Sequence, residues 1–165
     1  LVWLEGNHDL MDGGFINYLR AINANRIVMT DWQAKFRLAF PNGSETRINA
    51  AHNHKGTSIY NPLHGQKRAS LWSGADGADL IVAGHHHTWA QSMEEGDDGH
   101  VTIMARARGY KSADDYALHH GFPDRTHGAS LLYVIDPRQE DPLRSHKLFP
   151  SLAEGCEYLT WLRSK

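Results

Sequence analysis

The chain has 165 residues, 41% of them hydrophobic and 22% charged, with a formal net charge of -2 at neutral pH. That length supports one domain with its own core, and the near-neutral balance removes bulk charge as an argument for nucleic acid or an anionic membrane, though nucleic acid stays open as a substrate. Cys156 is the single cysteine, which excludes an intrachain disulfide and a cysteine-based zinc site and fits a reducing, cytoplasmic setting; no apolar run approaches the roughly 20 residues of a membrane helix.

Residues 1–5, Leu-Val-Trp-Leu-Glu, read as a buried strand that ends in Gly6-Asn7-His8-Asp9. The strand opens with no lead-in, as expected of a fragment of a longer sequence. Residues 15–22 carry apolar side chains at helical spacing behind Gly13-Gly14. Residues 36–40 alternate, Pro41-Asn42-Gly43 supplies a turn, and residues 46–52 return, which is a hairpin signal. Residues 53–65 are polar and without period and read as a loop; residues 66–72 read as a short helix. Residues 79–83, Asp-Leu-Ile-Val-Ala, form the strongest strand and run directly into Gly84-His85-His86-His87. Residues 90–93 and 101–105 flank Gly96-Asp97-Asp98-Gly99 as a second hairpin. Beyond it come a mixed stretch with helical character at 113–118, a buried strand at 129–135, an edge strand at 143–148 and a closing amphipathic helix at 152–162. Strands outnumber helices and several are apolar on both faces, so the class is α/β or α+β in one domain.

The histidines are the unusual feature, 12 in all. Three sites follow hydrophobic strands: Asn7-His8-Asp9, His52 and His85-His86-His87. Strand ends gather distant positions in such folds, imidazole is the commonest neutral-pH metal ligand, and Asn and carboxylate oxygens suit harder divalent ions. In extended chain His85 and His87 share a face and His86 points away. These groups predict a metal centre with a mixed nitrogen and oxygen shell.

Gly6-Asn7-His8-Asp9, a strand-end histidine and Gly84-His85-His86-His87 resemble, in order, the GNH[DE], His and GHxH blocks of the calcineurin-like metallophosphoesterases. The resemblance spans residues 6–87. It implies the C-terminal half of a four-layer αββα sandwich with mixed sheets, residues 1–165 being one partial domain whose DxH and GDxxD segment is missing. It also implies two divalent ions (Mn, Fe, Zn, Co or Ni), with Asn7, His52 and His85 on the second, His87 on the first, and the first site incomplete. The implied activity is hydrolysis of phosphomonoesters or phosphodiesters, with His8 assisting at the phosphoryl group or leaving oxygen and Asp9 orienting its imidazole. The chain by itself is then expected to hydrolyse such substrates poorly or not at all.

Alternatives stand beside several of these residues. His54, two positions on, shares a face with His52 and is the other candidate for that ligand. His64 packs the loop or leans over the site. Arg106 and Arg108 either contact substrate phosphate or form the polar face of a strand. Two further functions compete: a non-catalytic scaffold or binding module of the same fold, and an unrelated one-metal protein built on the His cluster. The substrate, the oligomeric state and the roles of residues 53–65 and 111–128 carry no decodable signature.

Overall fold

The computed structural model describes residues 2–6, 14, 17–18, 21–22, 28–72, 77–110, 115–121 and 126–165. The fold is mixed α/β around a five-stranded mixed sheet. Strand β1 (Val2–Glu5) pairs in parallel with β2 (Val28–Asp31). Strands β3 (Gln33–Ala39) and β4 (Glu45–Ala51) make the expected hairpin, aligned Ala39 to Glu45 at its closed end. The Asn42 side chain builds the turn, accepting from the Ser44 N–H at 3.1 Å, and Gly43 supplies φ 86° where a side chain would be strained.

Helix α1 (His64–Trp72) then crosses to β5 (Leu80–Ala83). Strands β6 (Ala90–Glu95) and β7 (Val101–Arg106) form the second hairpin, and the sheet order is β3-β4-β5-β7-β6. The three central strands, β4, β5 and β7, run parallel, and both edges are antiparallel. A central parallel strand is covered on both faces, which is why β5 is apolar at every position. Its alternating side chains feed two cores. Ile81 and Met104 pack with Leu63, Ala69 and Ala78 beneath α1. Leu80 packs with Ile48 and Ile103 on the other face, where Tyr133 and Leu148 join them.

Those last two residues belong to a two-stranded antiparallel ribbon, β8 (Leu132–Ile135) with β9 (His146–Phe149). Short helix α2 (Asp115–His119) precedes it and α3 (Pro142–Ser145) lies between its strands. Helix α4 (Leu152–Arg163) closes the chain against the ribbon. Ser151 caps α4 by accepting from the Glu154 N–H at 3.3 Å, and Gly155 lets the helix approach so closely that a Cβ there would lie 2.4 Å from Leu132 Cδ2.

Most expected elements are present, with three differences. Strand β2 was not anticipated, because Val-Met-Thr-Asp is short and half polar. The stretch 143–148, expected as a single strand, begins as a helical turn. Asp141 caps that turn by accepting from the Leu143 N–H at 2.9 Å, and Pro142 sits at its first position. The helix expected at 15–22 lies only partly within the described residues, of which Gly14, Asn17, Tyr18, Ala21 and Ile22 have helical backbone. No helix among the described residues is long and apolar enough to cross a membrane.

Candidate metal centre at the strand ends

A transverse row of backbone hydrogen bonds continues past the ends of the strands. The Trp32 N–H donates to the Glu5 carbonyl at 3.1 Å, the His52 N–H to the Trp32 carbonyl at 2.7 Å, and the Gly84 N–H to the His52 carbonyl at 3.2 Å. The ends of β1, β4 and β5 are thereby held side by side.

Side chains follow the backbone. His52 Nε2 lies 2.9 Å from His85 Nδ1, and the rings meet edge to face with centroids 4.7 Å apart. Gly6 closes on the same imidazole: a Cβ at Gly6 would lie 2.4 Å from His52 Nδ1. Glycine is required there by close approach, not by turn geometry. Trp32 braces the ring from another side at a centroid distance of 5.6 Å.

The extended reading of 85–87 does not hold. His85 and His87 have φ of 68° and 50°, left-handed backbone that a non-glycine residue rarely adopts, so alternation along a strand does not apply. His85 instead turns onto His52, while His86 faces His85 with ring centroids 5.0 Å apart and bonds Asn53 Oδ1 through Nε2 at 3.1 Å. Burial lowers the His86 pKa first, and the nearby charges of Arg106, His85, His52 and His87 lower it further. Two strained backbone positions flanking a side-chain cluster cost energy that the surrounding ladder must offset, a pattern concentrated at functional sites.

Of the two candidates on β4's exit, His52 is the one beside His85. His54 is buried under the start of α1, where its ring Nε2 has no hydrogen-bond partner and burial lowers its pKa against a backbone hydrogen bond to Val82. His87 is exposed. His64 packs on Gly56, where a Cβ would meet its ring at 3.0 Å, so it serves the loop. Arg108 donates through Nε to the His127 carbonyl at 3.2 Å, tying two loops together. Asn7, His8 and Asp9 lie outside the described residues.

The fit to a divalent ion can be judged on the described pair. Two nitrogens at 2.0–2.1 Å from one tetrahedral ion stand roughly 3.3 Å apart. The 2.9 Å separation of His52 Nε2 and His85 Nδ1 is shorter than that, the distance of a hydrogen bond between the two rings, so an ion between them would require the rings to part slightly. Among the described residues no group of three or more His, Cys, Asp or Glu side chains is arranged to hold a metal. The described pair supplies two ring nitrogens and no third group of these types. Comparisons with protein-family models, curated proteins and solved structures find no match.

One contributor escaped the sequence reading. Asn53 fixes His86, and its neighbourhood to His52 was the only signal available; a polar residue one position past a strand-end histidine says nothing alone.

Proposed function

We propose that the chain forms the C-terminal part of a calcineurin-like, dinuclear-metal phosphoric ester hydrolase. The observation that carries the reading is the His52–His85 contact at 2.9 Å across strand ends tied by backbone hydrogen bonds. Sequence order adds to it, since the GNHD, His and GHxH blocks follow one another. A mixed five-stranded sheet with α1 on one face and the β8–β9 ribbon on the other also supports the reading.

In this reading Asn7, His52 and His85 hold one ion and His87 contributes to a second, whose remaining ligands would come from DxH and GDxxD blocks. When bound, such ions neutralise phosphoryl charge and provide a nucleophile at neutral pH. The chain's own part is to fix two imidazoles at hydrogen-bond separation. Gly6 and Trp32 confine the His52 ring, and the left-handed turn at His85 brings its Nδ1 against His52 Nε2. His8, oriented by Asp9, would donate a proton to the leaving oxygen, a role worth about 10²–10⁴-fold.

The test is divalent-metal titration with Mn²⁺ or Zn²⁺, together with hydrolysis of p-nitrophenyl phosphate and its bis-ester by the protein in its natural length. Two ions per chain, with His52→Ala abolishing one and the hydrolysis, is the expected result. A single ion retained by His52→Ala would sink the reading in favour of an unrelated one-metal site.

A further inference from the structure

Residues 53–65 are an ordered cover. Ser58 Oγ accepts from the N–H groups of Tyr60 and Asn61, each at 3.2 Å, Asn61 Oδ1 accepts from the Leu63 N–H at 2.9 Å, and Leu63 anchors the segment in the core. Between this cover, the start of α1 and the end of β7 lies a cavity of about 220 Å³. It shares a wall with the histidine cluster, because His86 lines the cavity and also packs on His85, and Asn53 lines it while bonding His86.

Its chemistry has one sign. Among the described lining residues the Arg106 guanidinium is the only permanent charge, and there is no carboxylate. Neutral hydrogen-bonding groups surround it. Gln66 is only 3% exposed and held by its amide donating to the Ala105 carbonyl at 3.1 Å. The hydroxyl of Thr88, another lining residue, is buried with no hydrogen-bond partner, a state that costs free energy unless something else satisfies it. A guanidinium among neutral donors matches a phosphate, which accepts in a fork from arginine. The volume is below the about 300–1,000 Å³ of a pocket for a whole drug-sized ligand, so it suits one group of a larger molecule.

We propose that this cavity is an oxyanion subsite for a second, non-reacting phosphate, so that the substrate is a phosphoester carrying two phosphates. The substrate assignment rests on the hydrolase reading for the reacting phosphate; anion binding in the cavity does not. Ile59 and Tyr60, both 91% exposed between the lining residues Ser58 and Asn61, then stand where the organic part of such a substrate leaves the cavity.

The test is titration of the metal-free chain, in a chelator, with methylenediphosphonate and with acetate, followed by amide chemical shifts. Saturable diphosphonate binding with shifts at Thr88 and Arg106, and none with acetate, is expected. Arg106→Gln should weaken it by about tenfold or more, and Thr88→Val, which removes the orphaned hydroxyl without changing shape, by about threefold or more. Thr88→Val should leave the melting temperature equal or higher, so it decides the matter even if Arg106→Gln folds poorly. Tyr133→Phe, on the opposite end of the sheet, should change affinity less than about twofold. Absent diphosphonate binding, equal binding of acetate, or affinity indifferent to Thr88→Val overturns the subsite. Diphosphonate binding without metal uptake would retain the subsite and sink the hydrolase; metal uptake without diphosphonate binding would do the reverse.

Discussion

The two ends of the five-stranded sheet use the same residue types in opposite ways. At the amino ends of β4, β5 and β7, Asp79 accepts from the Arg47 N–H at 2.7 Å and lies 3.6 Å from His100 Nε2, which also bonds the Ala78 carbonyl at 3.3 Å. Nearby, the Tyr133 hydroxyl and His146 Nδ1 are hydrogen-bonded at 2.5 Å, with the rings stacked at 10°. Burial pushes the Tyr133 phenol up, with the Asp79 charge adding to it, and pulls His146 down despite the favourable charge of Asp79. Here each polar group is spent on another part of the chain. At the carboxyl ends His52 and His85 meet side chain to side chain, on backbone that is left-handed at His85 and His87. Histidine content alone does not mark a site. The mark here is imidazoles from separate strand ends brought against one another on left-handed backbone.

Substitutions can break this contrast. The largest effect is expected from His52→Ala, which should lower divalent-metal affinity by more than about 100-fold, beyond the 10–100-fold typical of residues behind the ligands. Because His52 is only half-buried, its urea midpoint should move little. Asp79→Ala should show the converse, costing roughly 1 kcal/mol in urea unfolding by removing the acceptor of the Arg47 N–H and the charge beside His100, while metal affinity stays unchanged. A large loss of metal affinity in Asp79→Ala would erase the distinction between the two ends. Gly6→Ala sharpens it, since the new methyl must displace the His52 ring; metal affinity should fall about tenfold.

The smallest effect is in pH. His146 is held below its ordinary 6.5 in the folded state, chiefly by burial. Its neutral form is thus the folded form: the contribution is complete above pH 6.5 and is lost as pH falls below that value toward the folded pKa. Asp79, His100 and Tyr133 are the other titratable groups facing it. Stability measured by urea unfolding should decline between about pH 7 and pH 5, and His146→Asn should flatten part of that slope. A wild-type slope of the opposite sign would contradict the burial assigned to this ring.

Much of the framework was legible in the residues. The uninterrupted Leu-Ile-Val-Ala of β5 and the Pro41-Asn42-Gly43 turn state their structure through local chemistry. Asp141-Pro142 states it too, as a capped helical turn, but the apolar alternation at 143–148 competed with that signal and masked it. The site was legible only in outline. That His52, rather than His54, stands beside His85 depends on α1 burying His54, and no feature within residues 52–54 encodes that burial. The left-handed φ of His85 and His87 is set by the ladder around them, so the extended-chain expectation for 85–87 had no local reason to fail. The cavity under residues 53–65 depends on Arg106 and Gln66, 40 positions apart in sequence, meeting at one end of the sheet.

The most direct test of the strand-end centre is a Zn²⁺ titration of the chain followed through its imidazole ¹⁵N resonances. Saturable shifts at His52 Nε2 and His85 Nδ1, with His100 and His146 unmoved, are the result expected if those two nitrogens share an ion. Zinc that leaves His52 and His85 untouched, or that gathers at His100 and His146 instead, would contradict it.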